Sequence, residues 1–268
     1  MTRPNPFAAA ADRYAEGRPY HHARTLRRAL AGRTPHLALD VACGTGLSTR
    51  GLAELGIAAV GVDVAPAMVA RARADTGLPC VVASAEALPV ATAAVDLVTV
   101  GSGVHWFDQQ RFAAEAARVL RPGGALLLYE HGGGTLPDPA FLDWMRGIYL
   151  RRFPPPPRGP LAADFPAIGG FVPERTDQWT DEVTMTRAAL AAYLTTQSNV
   201  ADEPPERIRD WFDAELAPFF AGGRGRRVVR FRGSCRLSCR LLRRGAGERG
   251  REAAPGAGAG ACAGRGGG

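Results

Sequence analysis

The segment Asp40-Val-Ala-Cys-Gly44-Thr-Gly46 places a carboxylate just ahead of two closely spaced glycines. Glycine lets backbone approach a ligand closely, and a helix that starts after such a turn offers unpaired N–H donors. A second carboxylate, Asp63, follows 17 residues after Gly46. At the end of the next strand it can accept hydrogen bonds from both hydroxyls of a ribose. A dinucleotide fingerprint would need a third glycine near Thr49, and its absence argues against a nicotinamide dehydrogenase. His105 is the main candidate for acid–base work, since an imidazole can orient an acceptor or take its proton. Glu130 and His131 are further polar candidates, while Trp106 and Phe107 read as packing or a pocket wall. Tyr14, Arg18 and Tyr20 suit a lid in which Arg18 meets a carboxylate. His21 and His22 read as a solvent-facing pair, and Cys43 as a small buried residue of the turn. Cys235 and Cys239 have no nearby His, and a closed zinc site needs four ligands, so no metal is expected.

Positioning these groups requires strands that end together. From residue 37 to about 130, short apolar runs alternate with helical patterns, which predicts a parallel sheet flanked by helices. Strands are expected at 37–42, 58–63, 80–83, 95–101 and 125–129, nearly all apolar as in sheets buried on both faces. Helices are expected from 47 to about 55, at 66–74 and at 110–120. Further on, 138–152, 187–195 and 206–219 read as helices and 178–184 as a strand, with a proline-rich surface loop at 153–160.

Composition bounds the rest. The chain has 268 residues, 46% of them hydrophobic, enough for a substantial core. No apolar run approaches the ~20 residues of a membrane span. The apolar stretch before Asp12 is only five residues long, too short for a secretory signal, so a soluble cytoplasmic protein is expected. All 33 basic residues are Arg. Residues 1–221 carry a net charge of −3 and residues 222–268 carry +10, so the basic balance describes the tail and argues against a nucleic-acid partner for the domain. In that tail 14 residues are Gly and 12 are Arg, too little apolar surface to offset ordering. Two readings stand: an Arg/Gly-rich segment that binds RNA or acidic surfaces, or translation of a shifted frame in GC-rich coding DNA. The junction falls within 221–236, with 228–231 a candidate strand.

Several separate segments together carry a family resemblance: Asp40 to Gly46, Gly61-Val-Asp63, Ala83-Ser84-Ala85-Glu86-Ala-Leu-Pro89, Val104-His105-Trp106-Phe107-Asp108, Arg118-Val-Leu-Arg-Pro122-Gly-Gly124, Tyr14 to Tyr20, and Leu194-Thr-Thr-Gln-Ser198. Over about residues 7–220 the chain resembles class I S-adenosylmethionine-dependent methyltransferases, in particular the small-molecule group of trans-aconitate methyltransferase-like and type 11 proteins. Ala42 stands where many members carry Gly, and Ser84 where many carry an adenine-contacting Asp. The resemblance implies a Rossmann-like, doubly wound, mostly parallel seven-stranded α/β sheet with helices on both faces. It implies an N-terminal helical lid at 1–36, a core at 37–221 and a substrate cap around 131–200. S-adenosyl-L-methionine is the implied cofactor. Its implied contacts are Asp40, Ala42, Gly44, Gly46, Asp63, Val64, Met68, Ala85, Glu86 and Gly101. Tyr14, Arg18, Tyr20, Trp106 and Glu130 would face the substrate or lid. The fold should close with an antiparallel hairpin, and the basic tail occupies the place of that last strand. If 228–231 does not supply it, the sheet keeps an open edge.

Methyl transfer from a sulfonium is an in-line displacement, so proximity and desolvation supply most of the acceleration. A hydroxyl or carbon acceptor also needs a base, whereas a carboxylate does not. The function expected is methylation of a small molecule at a carboxylate or hydroxyl oxygen, with His105 as the catalytic candidate. The alternatives are a cofactor-binding module without turnover, or an RNA-associated protein using the tail.

Overall fold

The computed structural model describes residues 11–156, 171–222 and 225–240. Seven strands form one sheet: β1 Leu37–Val41, β2 Ala58–Asp63, β3 Cys80–Val82, β4 Val95–Gly101, β5 Leu120–Thr135, β6 Phe171–Thr186 and β7 Arg226–Arg240. Their order is β3-β2-β1-β4-β5-β7-β6. The first five run parallel, and β7 lies antiparallel between β5 and β6. The order reverses between β1 and β4, and in open α/β sheets ligands bind beyond the strand ends at such a switch point.

The helices are α1 Ala11–Gly17, α2 His22–Ala29, α3 Leu47–Glu54, α4 Pro66–Thr76, α5 Gln109–Val119, α6 Pro139–Trp144, α7 Leu150–Arg152, α8 Arg187–Leu194 and α9 Pro205–Phe220. A wider turn, Met145–Tyr149, joins α6 to α7. Local chemistry fixes their ends. Pro66 opens α4, where no N–H is needed, and Gly77 ends it at φ 67°. Asp108 and Thr186 cap α5 and α8 by accepting the N–H of Arg111 and Ala189, each at 3.1 Å.

Alternation along β5 divides the core. Leu126 and Leu128 pack with Val98, Val100 and the Phe112 face of α5, whereas Leu127 and Tyr129 pack with Leu97 and with Leu26 and Leu52 of α2 and α3. A third cluster joins α6, α8 and α9 to Val229 and Phe231 of β7 through Phe141, Tyr193 and Phe212. No helix among the described residues is long and apolar enough to cross a membrane.

Most elements fall where the sequence places them, with two differences. β5 and β6 extend well beyond the expected 125–129 and 178–184. The larger correction concerns the tail. Residues 226–240 are not an appendage: they form β7, inside the sheet, so the candidate strand at 228–231 is part of a longer one, no open edge is left beside β5, and β6 is the edge strand on that side. The reason is alternation. Val229, Phe231, Gly233, Cys235 and Leu237 are buried, while Arg226, Arg230 and Arg232 are exposed. Gly233 is required because a Cβ there would overlap the Trp179 ring. Residues 1–10 of the expected lid, the proline-rich loop from 157 onward and 241–268 of the tail lie outside the described residues.

Candidate active site

The turn after β1 is held in a left-handed path: φ is 57° at Ala42, 54° at Gly44 and 82° at Gly46. A non-glycine residue in this region is held at a cost of about 1 kcal/mol. Ala42 is accommodated because Gly103 lies opposite, where an added Cβ would come within 2.7 Å of the Ala42 methyl. The two glycines of the turn do different things. A Cβ on Gly46 would meet Ala72 Cβ at 3.0 Å and Thr76 Cγ2 at 3.1 Å, so this glycine packs the turn against α4. Around Gly44 no described atom lies within 4 Å of that position, so the backbone opens to free space. Thr45, just after it, has a buried hydroxyl without a partner among the described residues.

Asp63 closes the other side of this space. Its Oδ2 accepts the Gly44 N–H and its Oδ1 the Ala65 N–H, both at 2.9 Å. Burial raises its pKa, with those backbone donors acting in the opposite direction. Each oxygen keeps a lone pair after accepting one N–H, which fits a vicinal diol. An open glycine backbone, an unpartnered Thr45 hydroxyl and a diol-accepting carboxylate are a donor and acceptor set that fits S-adenosylmethionine.

Asp40 has a different role. It is fully buried and accepts hydrogen bonds from Ser48 (2.6 Å), Thr49 (2.7 Å) and Thr99 (3.0 Å). Burial raises its pKa to about 6 against the pull of those hydroxyls. Its carboxylate therefore ties β1, β4 and the first turn of α3 together and presents no surface to a ligand.

The remaining expected contacts are spread around the rim. Val64 is exposed beside Asp63, whereas Met68 and Ala85 are buried. Glu86 accepts the Asp108 N–H at 2.9 Å and the Ser84 hydroxyl, so both polar groups of this segment serve the loop. Gly101 ends β4 against Tyr129, whose hydroxyl would lie 2.7 Å from a Cβ there.

His105 sits in a short turn, Val104–Trp106, after β4, with the Trp106 ring beside it at 5.2 Å. Its Nδ1 lies 3.5 Å from Oε1 of Glu130 in β5. Both atoms are buried without a hydrogen-bond partner among the described residues. Catalytic contacts of this kind are often long in the free enzyme and tighten with ligand bound.

The expected lid residues separate. Arg18 lies 4.7 Å over the Tyr14 ring and 5.5 Å over that of Tyr193, and donates to the Thr196 carbonyl at 3.3 Å. Tyr20 turns toward α3 instead, beneath Arg50 at 4.0 Å. His21 and His22 are not a solvent-facing pair. His21 stacks on His131 at 3.7 Å, and His22 Nδ1 meets the Tyr129 hydroxyl at 2.8 Å. His131 itself pairs with Asp181 at 3.0 Å, away from the Glu130 side.

Sequence reasoning missed Thr45 and Tyr193 and assigned no role to Gln197. The Leu194–Ser198 motif was the available signal for the last. A shallow depression on another part of the surface is lined by Pro137, Leu142 and Arg146 around α6 and by Arg230 of β7.

Residues 39–128 match a family described as a methyltransferase domain. The chain is 32% identical over 211 residues to an uncharacterised methyltransferase of Mycobacterium tuberculosis, covering 76% of this chain and 84% of that one. It is 31% identical over 162 residues to a demethylmenaquinone methyltransferase of Beutenbergia cavernae, covering 60% and 66% respectively. Among solved structures, a protein from Anaeromyxobacter dehalogenans provisionally assigned as a type II methyltransferase superposes with a TM-score of 0.63 at 28% identity, covering 82% of this chain and 95% of that one. With the glycine turn, Asp63 and the strand order already described, these similarities establish that the chain is an enzyme of the class I S-adenosylmethionine-dependent methyltransferases.

Proposed function

We propose that the enzyme methylates a small-molecule acceptor at oxygen, with His105 as the base and Glu130 as the group that orients it. The observation that carries this reading is the pairing of two unpartnered buried atoms, His105 Nδ1 and Glu130 Oε1, with His105 two residues beyond the Gly103 that lies against Ala42 of the glycine turn. S-adenosylmethionine, when bound, supplies an electrophilic methyl group on a sulfonium. Asp63 would hold the ribose hydroxyls, with Gly44 and Thr45 toward the methionine end and Ala85 and Val64 flanking the adenine. The Nδ1–H tautomer of His105, hydrogen-bonded to Glu130, would leave Nε2 free to take the acceptor proton. Nearby apolar and aromatic groups, Val104 and Trp106, would limit water around the displacement.

Calorimetric titration of the full chain with S-adenosylmethionine tests the binding half of this reading. Two charge-assisted hydrogen bonds at Asp63 are worth about 2–3 kcal/mol together, so Asp63→Ala should weaken binding by about 30-fold or more. Unchanged affinity in a folded variant would remove Asp63 from the site. The catalytic half is read from kcat: His105→Ala should lower it by about 100-fold with cofactor affinity unchanged.

A further inference from the structure

Three buried donors stand unpaired on the cap side of the cleft. The Tyr193 hydroxyl has the Gln197 side chain and the Gly133 backbone as polar neighbours, but no contact among the described residues that meets hydrogen-bond geometry. Tyr193 as a whole is only 2% exposed. Gln197 Nε2 and Arg18 Nε are likewise buried and unpaired. They form one cluster, because Arg18 lies over the Tyr193 ring and reaches the backbone of Thr196, next to Gln197. Each buried donor left without an acceptor costs about 1–3 kcal/mol. A ligand presenting acceptor oxygens would satisfy all three, and beside a guanidinium a carboxylate does so best.

The cluster also has a defined place relative to His105. A Cβ on Gly132 would lie 3.8 Å from the Tyr193 hydroxyl. Gly132 is the next position after Glu130 on the same face of β5, and Glu130 is the residue that meets His105. Two residues of strand advance about 7 Å. The two β5 positions that meet the donors and the base are therefore neighbours on one face, spaced by about the span of a substituted six-membered ring.

Resting on the cofactor and base assigned above, we infer that Arg18, Tyr193 and Gln197 anchor the carboxylate of an acceptor whose hydroxyl is presented to His105. The substrate class is a small hydroxy acid methylated on a phenolic or enolic oxygen. An imidazole can take a proton from such a hydroxyl as the new bond forms, and the greater acidity of a phenol or enol makes that transfer easier than from an aliphatic alcohol. The substrate oxygen bonds to the methyl carbon as the donor's carbon–sulfur bond breaks with its electron pair on sulfur. The hydroxyl proton passes to His105 and then to water, leaving an ether and a neutral thioether. The carboxylate itself is bound and not methylated.

The full chain is titrated with S-adenosylhomocysteine, and the saturated complex then with 3-hydroxybenzoate, 4-hydroxybenzoate, benzoate and phenol. The three carboxylates should bind about tenfold or more tighter than phenol. Tyr193→Phe combined with Gln197→Leu should lose about tenfold or more of the benzoate affinity with S-adenosylhomocysteine affinity unchanged. Turnover of a hydroxybenzoate should give an alkali-stable ether. Phenol binding as tightly as the hydroxybenzoates, a double variant that keeps benzoate affinity, or an alkali-labile ester product each overturn the anchor. Failure of the folded chain to bind S-adenosylhomocysteine overturns the cofactor reading instead, and the anchor with it.

Discussion

His22 and Tyr129 meet at 2.8 Å, imidazole Nδ1 to phenol oxygen, and this contact ties the first residue of α2 to the middle of β5. The contact belongs to a larger stack. His21 lies between His22 at 4.2 Å and His131 at 3.7 Å, and His131 rests on Phe231 at 5.2 Å. Burial lowers the pKa of all three histidines, that of His22 to about 3. Neighbouring charges act in the same direction: Arg18 just after α1, Arg24 from α2 and Arg50 from α3, with the Asp181 carboxylate on β6 opposing at His131. The imidazoles are therefore neutral at pH 7.

A histidine whose folded pKa lies below its unfolded value stabilises the fold fully above about pH 6.5, and that contribution is lost as pH falls toward the folded pKa. For His22 the loss reaches about 2 kcal/mol near pH 4.5, allowing for partial solvent screening. Urea denaturation of the parent should lose midpoint steadily from pH 7 to about 4.5. His22→Gln cannot titrate, so its midpoint should fall less over that range. Parallel pH profiles would remove His22 from the acid response.

Asp40 predicts the opposite dependence. Its folded pKa of about 6 lies above the usual carboxylate range, so the protonated form is favoured by the fold and ionisation is the unfavourable step. Its stabilising share is whole below about pH 4 and is lost as pH rises through 6. Asp40→Asn keeps a hydrogen-bonding group toward Ser48, Thr49 and Thr99 without the charge. Relative to the parent, the variant should gain up to about 3 kcal/mol between pH 4 and pH 8, an upper figure that repacking of the three hydroxyls reduces. Differential calorimetry at both pH values reads this directly. A difference in stability that does not change with pH would mean that Asp40 is ionised throughout.

These two networks show where sequence reading succeeds and where it stops. The parallel half of the fold was legible because strands buried on both faces must be apolar, and β4 occupies the expected 95–101. The positions of Asp63 at the end of β2 and of His105 just after β4 were legible for the same reason, whereas Glu130 lies within a longer β5 than expected. Their partners were not. That Asp63 takes the Gly44 N–H and that His105 meets Glu130 are consequences of how β2 and β5 register on β1 and β4, and no local pattern encodes register in parallel strands. Tyr193 and Gln197 reach the cleft only through packing of α1 on α8, where Gly17 lets the backbones approach: a Cβ there would lie 2.5 Å from the Ala192 carbonyl. The cluster of His21, His22 and His131 depends on the same long-range placement of the N-terminal segment. In β7 the signal was present but masked, since Arg and Gly content suggested disorder while period-two burial of Val229, Phe231 and Cys235 specified a strand.

The place of β7 in the sheet carries a direct consequence for Phe231. Its side chain is fully buried, stacked on His131 at 5.2 Å and edge-on to Tyr193 at 5.1 Å. A residue on a basic appendage could be truncated without effect, whereas a buried core phenylalanine loses its transfer free energy and leaves a cavity. Phe231→Ala should therefore destabilise the chain by about 3–5 kcal/mol in urea denaturation. Arg232→Ala, next along the strand and exposed, should change stability by about 0.5 kcal/mol or less. The contrast separates a strand from a tail, since a tail would make the two substitutions equally neutral. Loss of the aromatic support beneath Tyr193 should also loosen the cap more than the glycine turn. S-adenosylhomocysteine affinity should consequently fall less than affinity for the acceptor, measured under conditions where the variant remains folded.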